Sequence, residues 1–480
     1  MIAGCVVSDA IRVGNPESTR AVSRVAKTTK EPPVPTTDCI SPIELQFQRR
    51  PLVVTCDAPQ VSSDGGALLL RQLDERFGFT KRFASLLEDR RDPSKLRHDR
   101  LEQLRQRVYQ ICLGYEDCND ADRLRHDPVL QLASGSAKQA LSSQPTLCRF
   151  ENGVSGRELN RLWRRFEQDY VDALDPVSEC IVLDIDGTDD PTHGAQQLSF
   201  FHGFYDQHMF HPVLVFDGDS GELITAMLRP GKVHAARGAA TILGRLIRAI
   251  KRRCPGAAVV VRGDSAFAMP RLMARLDALS DELGDVHYVL GLAKNSRLLG
   301  LAAPLLAEAA VQHATTKRFV RRFSWLSYAA ETWSRERPVV LKVEHSERGE
   351  NPRFLVTTLD GFDPGLVYDR AFCPRGQSEN FIKDFKNALS ADRLSCHRFV
   401  ANAFRLFLHA VAYRLMHALR RAAATVVPQL GRLQMDTLRT RLLKVAALAA
   451  QSARRILVRL PRVFPLADAF QRIARHLGAT

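Results

Sequence analysis

The sequence predicts an α/β core with a β-rich insertion, flanked by helical N- and C-terminal regions. Residues 179–294 alternate short β-branched runs with amphipathic stretches, in the order strand, strand, strand, helix, strand, helix, strand. Such alternation is typical of a sheet covered by helices. On both sides of it, across residues 62–178 and 398–480, apolar residues recur at the three- and four-residue spacing of amphipathic helices.

We expect six segments along the chain. They are a flexible tail, 1–45; a helical region, 46–178; the first part of the α/β core, 179–294; a β-rich insertion, 295–357; the completion of the core, 358–397; and a basic helical region, 398–480. The tail is predicted from its lack of hydrophobic period and from its proline-rich stretch at 31–35.

The elements of the core follow from local patterns. We expect strands at 181–186, within 198–216, and at 222–227, 257–264 and 286–292, and helices at 235–253, 269–279 and 377–389. The strand at 257–264 is expected to be parallel to the strand at 181–186, with the intervening helix in the crossover between them.

Within the first helical region, Ser142, Ser143 and Gln144 precede Pro145. A polar cap followed by proline in the first turn predicts a helix that runs through Phe150. This helix is a candidate for reading DNA, although short helices after a polar cap are common in proteins that bind no nucleic acid.

The charge of the chain points to a polyanionic partner. The 480 residues include 68 Lys and Arg against 53 Asp and Glu, a net charge of +15. Residues 401–480 alone hold 14 basic and two acidic side chains, which is +12 of that total. A solvated helical face is the alternative interpretation of this excess.

The cysteines and the hydropathy pattern exclude other classes. None of the ten cysteines forms a CxxC pair, so the pattern of a zinc ribbon or a thioredoxin is absent. No uninterrupted apolar run approaches the length of a membrane span. We expect a soluble, cytoplasmic protein with no membrane partner.

Three acids occupy positions that suit a two-metal phosphoryl-transfer site. Asp186 closes the first strand of the core, Asp264 follows the fourth, and Glu379 opens the helix after the insertion. Carboxylates at strand ends and on a facing helix can hold two divalent ions, and oxygen-only ligands favour Mg²⁺, with Mn²⁺ as a substitute. Each acid alone is weak evidence, because strand-end Asp residues are often turn formers, and Asp184 lies on the same strand face as Asp186.

The helix around Glu379 has two distinct faces. At 100° per residue, Glu379, Lys383 and Lys386 fall within one sector, while apolar residues fall on the opposite side. Arg375, just before the helix, would extend this basic strip towards a phosphate. The simpler interpretation is a surface Glu–Lys pair one helical turn apart.

These residues carry a resemblance to a known family. Phe372, Arg375, Glu379 and Lys386 have the spacing of the Y-(2)-R-(3)-E-(6)-K signature of bacterial insertion-sequence DDE transposases. The sequences around Asp186 and Asp264 are similar to the first- and second-acid motifs of that family. Longer strings at 183–194, 115–122 and 395–399 resemble insertion-sequence family thirteen-eighty in particular.

The resemblance implies an RNase H-like catalytic core with a β-rich insertion between the second Asp and the Glu. It implies that Asp186, Asp264 and Glu379 hold two metal ions. The residues that the resemblance and the basic strip place against DNA are Phe372, Arg375, Lys383 and Lys386, with Trp325 and Trp333 of the insertion as candidates for stacking a flipped base. A tryptophan in a strand is more often part of a core.

One position departs from the signature. The family's tyrosine is Phe372 here, so the phenolic hydroxyl and its hydrogen bond to a phosphate are missing. This change puts full activity in doubt.

The hypothesis from the sequence is therefore an insertion-sequence DNA transposase. Its partners would be double-stranded DNA, as terminal inverted repeats and target, and a second copy of the chain when two ends are paired. The helical region, 46–178, would be the region that binds the DNA ends, and it and the basic helices of 398–480 would contact the terminal repeats and the second copy. The alternatives are a metal-dependent nuclease on the same core and a transposase-derived DNA-binding protein with impaired catalysis. A glycosidase with two carboxylates is disfavoured by the basic surroundings of Glu379.

Overall fold

The computed structural model describes residues 43–45, 50, 52–55, 60–136 and 139–479. Most of the tail predicted over 1–45 lies outside these residues. Its last three residues form a strand, Ile43–Leu45, antiparallel to Leu52–Val54. This pair belongs to a compact unit, Met1–Ala58, and the elements below belong to a second unit, Pro59–Thr480.

The second unit begins with helices, as the apolar spacing predicts. They are Ala67–Phe77 (α1), Phe79–Ala84 (α2), Arg100–Leu113 (α3), Asp120–Leu124 (α4), Pro128–Ser134 (α5), Gln144–Gly153 (α6) and Gly156–Ala173 (α7), with a 3₁₀ turn at Pro93–Lys95. The helix predicted after Ser143 is α6. Before α7, Ser155 and Glu158 form a reciprocal capping box that fixes where the helix begins. Gly114, at φ +87°, ends α3 in the left-handed region that favours glycine.

A central sheet carries the rest of the architecture. Its main strands are Cys180–Gly187 (β1), Val213–Asp217 (β2), Leu223–Met227 (β3), Ala258–Gly263 (β4), Val286–Leu292 (β5), Val320–Tyr328 (β6), Arg337–Ser346 (β7) and Arg353–Thr357 (β8), with Gly349–Glu350 beside β7. Their order across the sheet is β6-β7-β8-β5-β4-β1-β2-β3. Strand β4 is parallel to β1 and to β5, which confirms the predicted orientation, and the other neighbours are antiparallel.

Helices cover both faces of the sheet. Alternate residues of β2 show the division: Val213 and Val215 belong to one buried cluster, and Leu214 and Phe216 to another. The first cluster includes residues of Ala239–Arg253 (α8), Pro270–Leu283 (α9) and Ser296–Thr316 (α10), and the second includes residues of α1, α3 and Phe399–Val426 (α13). A small sheet of Asp190–Pro191, Phe200–His202 and Gln207–Phe210 lies in the connection between β1 and β2.

The β-rich insertion expected over 295–357 differs from the prediction in two ways. Its first third is the 21-residue helix α10, whose first turn is capped by the Asn295 side chain. The segment is rich in Ala and Leu, the strongest helix formers, and this propensity outweighs the strand-rich context that follows. The strands β6, β7 and β8 do form, but they extend the central sheet beyond β5.

The C-terminal region, 398–480, is not helical throughout. After α13 come Met435–Leu438 (α14), a hairpin of Ala447–Gln451 and Ile456–Arg459, and Ala467–His476 (α15), with a 3₁₀ turn at Pro428–Arg432 and a π turn at Arg439–Leu443. Ala447 and Leu448 pair with Val61–Ser62, so this hairpin joins the two ends of the second unit.

Part of the C-terminal positive charge is internal. Arg405 and Arg414 lie on the buried helix α13 and are only 4% and 3% exposed. Arg414 donates hydrogen bonds to the backbone carbonyls of Phe166 and Leu223, at 2.8 and 3.0 Å. These guanidiniums therefore satisfy buried acceptors and are not part of a DNA-facing surface.

Replacement of His417, also on α13, should flatten the acid sensitivity of folding. Burial, with the charges of Arg420, Arg421 and Arg414, lowers the pKa of His417 from 6.5 to about 3. Between these values the unfolded chain binds a proton that the folded chain does not, so stability falls as pH drops below 6.5. At pH 5 this difference in proton binding lowers the free energy of unfolding by about 2 kcal/mol.

In urea unfolding, the free energy of unfolding of His417→Gln should fall by about 2 kcal/mol less than that of wild type between pH 7.5 and 5. The exposed His126→Gln is the matched control. An unchanged pH dependence in His417→Gln would contradict the expectation.

Candidate active site

The two predicted aspartates lie on neighbouring parallel strands. Asp186 is the penultimate residue of β1, and Asp264 directly follows β4. The register pairs Arg262 with Asp184, so two residues further on Asp264 comes opposite Asp186. Neighbouring strands are about 4.8 Å apart, and side chains at matching positions point to the same face. Both carboxylates therefore lie at the same edge of the sheet.

The backbone after β4 fixes the position of Asp264. The Asp264 carboxylate accepts a hydrogen bond from the Ala266 N–H at 2.9 Å and caps the 3₁₀ turn Ser265–Phe267. Gly291 on β5 allows this turn to pass close by. A Cβ atom on Gly291 would lie 2.9 Å from the Ser265 nitrogen and 3.2 Å from the Asp264 carbonyl carbon. Any larger residue there would displace Asp264.

The third predicted acid lies on a continuous helical segment after the sheet. The segment consists of Pro364–Leu366 (α11), a π turn at Val367–Phe372, a 3₁₀ turn at Cys373–Gly376, Gln377–Lys383 (α12) and a second π turn at Asp384–Ala388. Glu379 is exposed and makes no hydrogen bond or ion pair with the described residues. The predicted apolar face is confirmed, since Phe385, Ala388 and Leu389 are buried in the core.

The ionisation of Asp186 shows that the three acids share one electrostatic environment. Burial, together with the negative charges of Asp264 and Glu379, raises the pKa of Asp186 to about 6 against the opposing charge of Arg375. Like charges disfavour ionisation only at short range in a partly buried site. Asp264 and Glu379 therefore both lie close enough to Asp186 for their charges to act on it.

Two of the cations predicted to face DNA are paired with acids here. Arg375 donates from Nη2 to Oδ2 of Asp186 at 2.8 Å, and both side chains are largely buried. Lys386 donates from Nζ to the backbone oxygen and to Oδ1 of Asp189, each at 2.8 Å. Lys383 is exposed and makes no ion pair with the described residues.

The strip predicted for Glu379, Lys383 and Lys386 assumed an ideal α-helix, and the segment is α-helical only as far as Lys383. The spacing of 100° per residue does not hold beyond Lys383, because Asp384–Ala388 is a π turn. Lys386 is consequently drawn to Asp189, and its side chain is only 17% exposed.

The neighbouring acid Asp184 has a structural role. Its carboxylate accepts two hydrogen bonds from Arg262, at 2.6 and 2.7 Å, and it is 1% exposed. The remaining nitrogen of Arg262 donates to the backbone oxygen of Ala371 at 3.1 Å. This bidentate pair therefore ties the helical segment that carries Glu379 to the sheet.

The aromatic candidates pack within the protein. Phe372 lies 5.9 Å from the ring of Tyr368 in a small core of its own. Trp325 donates from Nε1 to the backbone oxygen of Phe362 at 3.2 Å. Trp333 contacts the ring of Tyr328 edge-on at 5.3 Å. A role of these aromatic side chains in stacking a base stays a prediction.

Tyr205 belongs to this environment and was not anticipated from the sequence. Burial raises the pKa of its hydroxyl, and the charges of Asp189, Asp186 and Asp264 raise it further. Its ring lies against those of His202 and His211, at 5.1 and 5.9 Å. The only signal was the aromatic-rich stretch after β1, which the spacing of residues alone could not connect to the acids.

Whether the three acids can bind a metal ion depends on their donor atoms and on their arrangement. Within the part of the chain that the structure describes, no group of three or more His, Cys, Asp or Glu side chains is arranged to hold a metal ion. The three acids nevertheless supply only oxygen donors, which are the ligands that Mg²⁺ prefers. Their mutual repulsion at Asp186 is the kind that a divalent cation relieves.

Comparison with protein families identifies the chain. Residues 45–480 match the model of the family described as transposase DDE domain group 1. The chain belongs to this family. As a DDE transposase it is an enzyme of the nuclease and transposase class, and DNA is the substrate of that class.

The other comparisons add little. A cryo-EM structure of a piggyBac transposase synaptic complex with hairpin DNA is similar at 12% sequence identity, with 78% of this chain and 79% of that chain covered and a TM-score of 0.43. No curated protein sequence matches this transposase significantly. Among its described helices, none is both long and apolar enough to cross a membrane.

Proposed function

We propose that the chain is the transposase of an insertion sequence, which cuts the ends of its element and joins them to target DNA. The observation that carries the proposal is the placement of Asp264 opposite Asp186 on adjacent parallel strands, with the charge of Glu379 acting on Asp186. Hydrolysis at an element end would free a 3′ hydroxyl, which would then displace a phosphodiester oxygen in the target strand.

The core is RNase H-like in this proposal. Five strands of the sheet run in the order β3-β2-β1-β4-β5, with β2 antiparallel to β1, and β4 parallel to both β1 and β5. The two aspartates at the edge shared by β1 and β4, and the acid on a helix after the sheet, agree with that architecture. The strands β6 to β8 are an addition between the second and third acids.

The proposed cofactor is a pair of Mg²⁺ ions, which Mn²⁺ would replace. Asp186, Asp264 and Glu379 would hold them. Such ions activate a hydroxyl and stabilise the leaving oxygen of a phosphodiester. The exposed, unpaired carboxylate of Glu379 and the raised pKa of Asp186 support this assignment.

The DNA-facing roles remain those that the Y-R-E-K signature and insertion-sequence family thirteen-eighty imply. Arg375 lies directly at Asp186, where a bound phosphate would compete with the carboxylate for the guanidinium. Lys383 is exposed and available to a phosphate, whereas Lys386 would have to leave Asp189. Trp325 and Trp333 are candidates for contact with a flipped base. Two copies of the chain would pair the two ends.

Phe372 favours one second candidate, a DNA-binding protein derived from a transposase and impaired in catalysis. Its ring has no hydroxyl to donate to a phosphate. A nuclease that cuts without joining is the other alternative, because it needs the same three acids.

The test uses the DNA that flanks the reading frame as substrate. We expect the full chain to cut these ends in Mg²⁺ and to join the freed 3′ ends to a supercoiled plasmid. Cutting without joining would favour the nuclease. Salt-sensitive binding without cutting in Mg²⁺ or Mn²⁺ would favour the impaired protein, with Phe372→Tyr the next variant. No binding to these ends would rule out the proposal.

A further inference from the structure

A cleft in the helical N-terminal region is lined by basic side chains. It has a volume of about 420 Å³, and none of the described residues that line it is acidic. Six cations line it, and we call it the basic cleft: Arg91, Lys95, Arg97, Arg100, Arg125 and Arg149. They come from the segment before α3, the first turn of α3, the residue that follows α4 and the middle of α6.

Half of these cations have no carboxylate partner among the residues that the structure describes. Arg91 and Arg100 share Asp89, and Lys95 lies 3.7 Å from Asp92. The other three, Arg97, Arg125 and Arg149, make no ion pair with any described residue. The Arg149 guanidinium has a neutral partner, the Thr146 hydroxyl at 3.3 Å.

The cleft holds its charge at an electrostatic cost. Arg100 lies partly beneath the surface, 5.4 Å from the Phe150 ring, and its Nε has no hydrogen-bond partner. Burial lowers the pKa of Arg100, with Asp89 opposing the change and Arg91 adding to it. Arg125 Nε is likewise buried without a partner. Three guanidiniums that have no carboxylate partner among the described residues therefore give this concave surface a positive potential, which favours an external anion.

The geometry of the groups indicates which anion. Guanidinium groups match phosphate oxygens in planar, bidentate hydrogen bonds. The ten-residue helix α6 begins at the cleft, where Ser143 and Thr146 line it, and the positive end of a helix dipole also favours anions. We propose that the basic cleft binds consecutive backbone phosphates of duplex DNA at the element end. This inference rests on the proposed function and names one surface that serves it.

Helix α6 connects the cleft to the core. At its far end, the backbone oxygen of Asn152 accepts a hydrogen bond from Arg398 at 2.9 Å, immediately before α13. Glu151 on the same helix is bound by Arg107 and lies 3.7 Å from Arg405 of α13. A phosphate bound at the start of α6 is therefore bound to a helix that is fixed to α13. The cleft would position the DNA, and the acids would cut it.

The test removes the three unpaired charges together, as Arg97→Gln, Arg125→Gln and Arg149→Gln. Fluorescence anisotropy in EDTA would give the affinity for the flanking-end duplex between 50 and 300 mM salt, about the range in which phosphate contacts dominate. Each lost phosphate contact lowers the slope of log K against log salt by about 0.9. We expect the slope to fall by about 2 to 3 and affinity at 150 mM salt to fall about tenfold or more.

The matched control removes three other arginines that are exposed and make no ion pair with the described residues: Arg252, Arg318 and Arg348, each changed to Gln. An equal fall in slope in both triple variants would show that net charge alone matters and would overturn the proposal. So would binding of the cleft variant that equals wild type while wild type cuts the ends. If wild type neither binds nor cuts them, the proposed function itself fails.

A second measurement identifies the contacted phosphates. Single methylphosphonates, which remove one charge each, would be placed along the element end. We expect one or two positions to weaken wild-type binding and to have no further effect in the cleft variant. Uniform effects at all positions in both proteins would contradict a defined cleft. Retention of anionic lipid vesicles, with no position-dependent effect on DNA, would assign the cleft to membranes and overturn the proposal.

Discussion

Asp264→Asn is expected to reduce strand cleavage at the element ends by about 10³-fold or more, with the fold and DNA binding retained. The substitution removes the negative charge opposite Asp186 but keeps the shape of the side chain, so the cap on the Ala266 N–H can persist. Glu379→Gln should have a similar effect, since Glu379 has no structural partner among the described residues. A denaturing gel with end-labelled DNA in Mg²⁺ measures both.

Asp219→Asn provides the matched control. Asp219 is an exposed acid in the turn after strand β2, where strand-end aspartates commonly serve as turn formers. We expect it to cut within about twofold of wild type, because it lies outside the proposed metal site. If Asp264→Asn cuts as well as Asp219→Asn, then Asp264 is not catalytic.

The double variant separates a shared site from independent contributions. The effects of groups that act as one catalytic unit are strongly non-additive. We therefore expect the double variant, Asp264→Asn with Glu379→Gln, to cut at a rate within about tenfold of the slower single variant. If the rate losses of the two single variants instead multiply in the double variant, Asp264 and Glu379 have separate roles. DNA binding, measured as a function of salt for the same variants, distinguishes a loss of catalysis from a loss of DNA affinity.

The sequence was sufficient for the core of the fold because its strands are short apolar runs with clear ends. The strand predicted over 257–264 and its parallel orientation were correct, and Asp186 and Asp264 were predicted at strand ends. The placement of these two aspartates side by side follows from the same reasoning, since a buried sheet constrains where its strand ends meet.

The remaining features depend on distant partners. The contact of Arg375 with Asp186 joins residues far apart in sequence, and a residue spacing carries no information about it. The π turn at Asp384–Ala388 departs from the ideal helix that was used to place Lys386, which pairs with Asp189. Helix α10 was missed because the strands after it dominated the interpretation of 295–357. The arginines of α13 were counted as surface charge. Two of them are buried instead: Arg414 donates to a backbone carbonyl, and Arg405 lies near Glu151.

The largest stability effect is expected at Glu151, which neutralises two buried arginines. Glu151 is 1% exposed, lies 2.7 Å from Arg107 Nε and 3.7 Å from Arg405 Nη1, and the three residues join α6, α3 and α13. Burial alone would raise the pKa of Glu151, but the charges of Arg107 and Arg405 outweigh it and lower the pKa overall. Glu151 is therefore ionised in the folded protein.

Glu151→Ala should lower the free energy of unfolding by about 3–5 kcal/mol, because it leaves two guanidiniums buried without a counter-charge. Urea unfolding measures the loss. Glu88→Ala is the matched control, since Glu88 also contacts two arginines, Arg90 and Arg161, but lies at the surface. We expect little change there, because water and salt screen an exposed pair. Equal losses in the two variants would mean that burial does not set the strength of the Glu151 cluster, and that α3, α6 and α13 are held together by apolar packing alone.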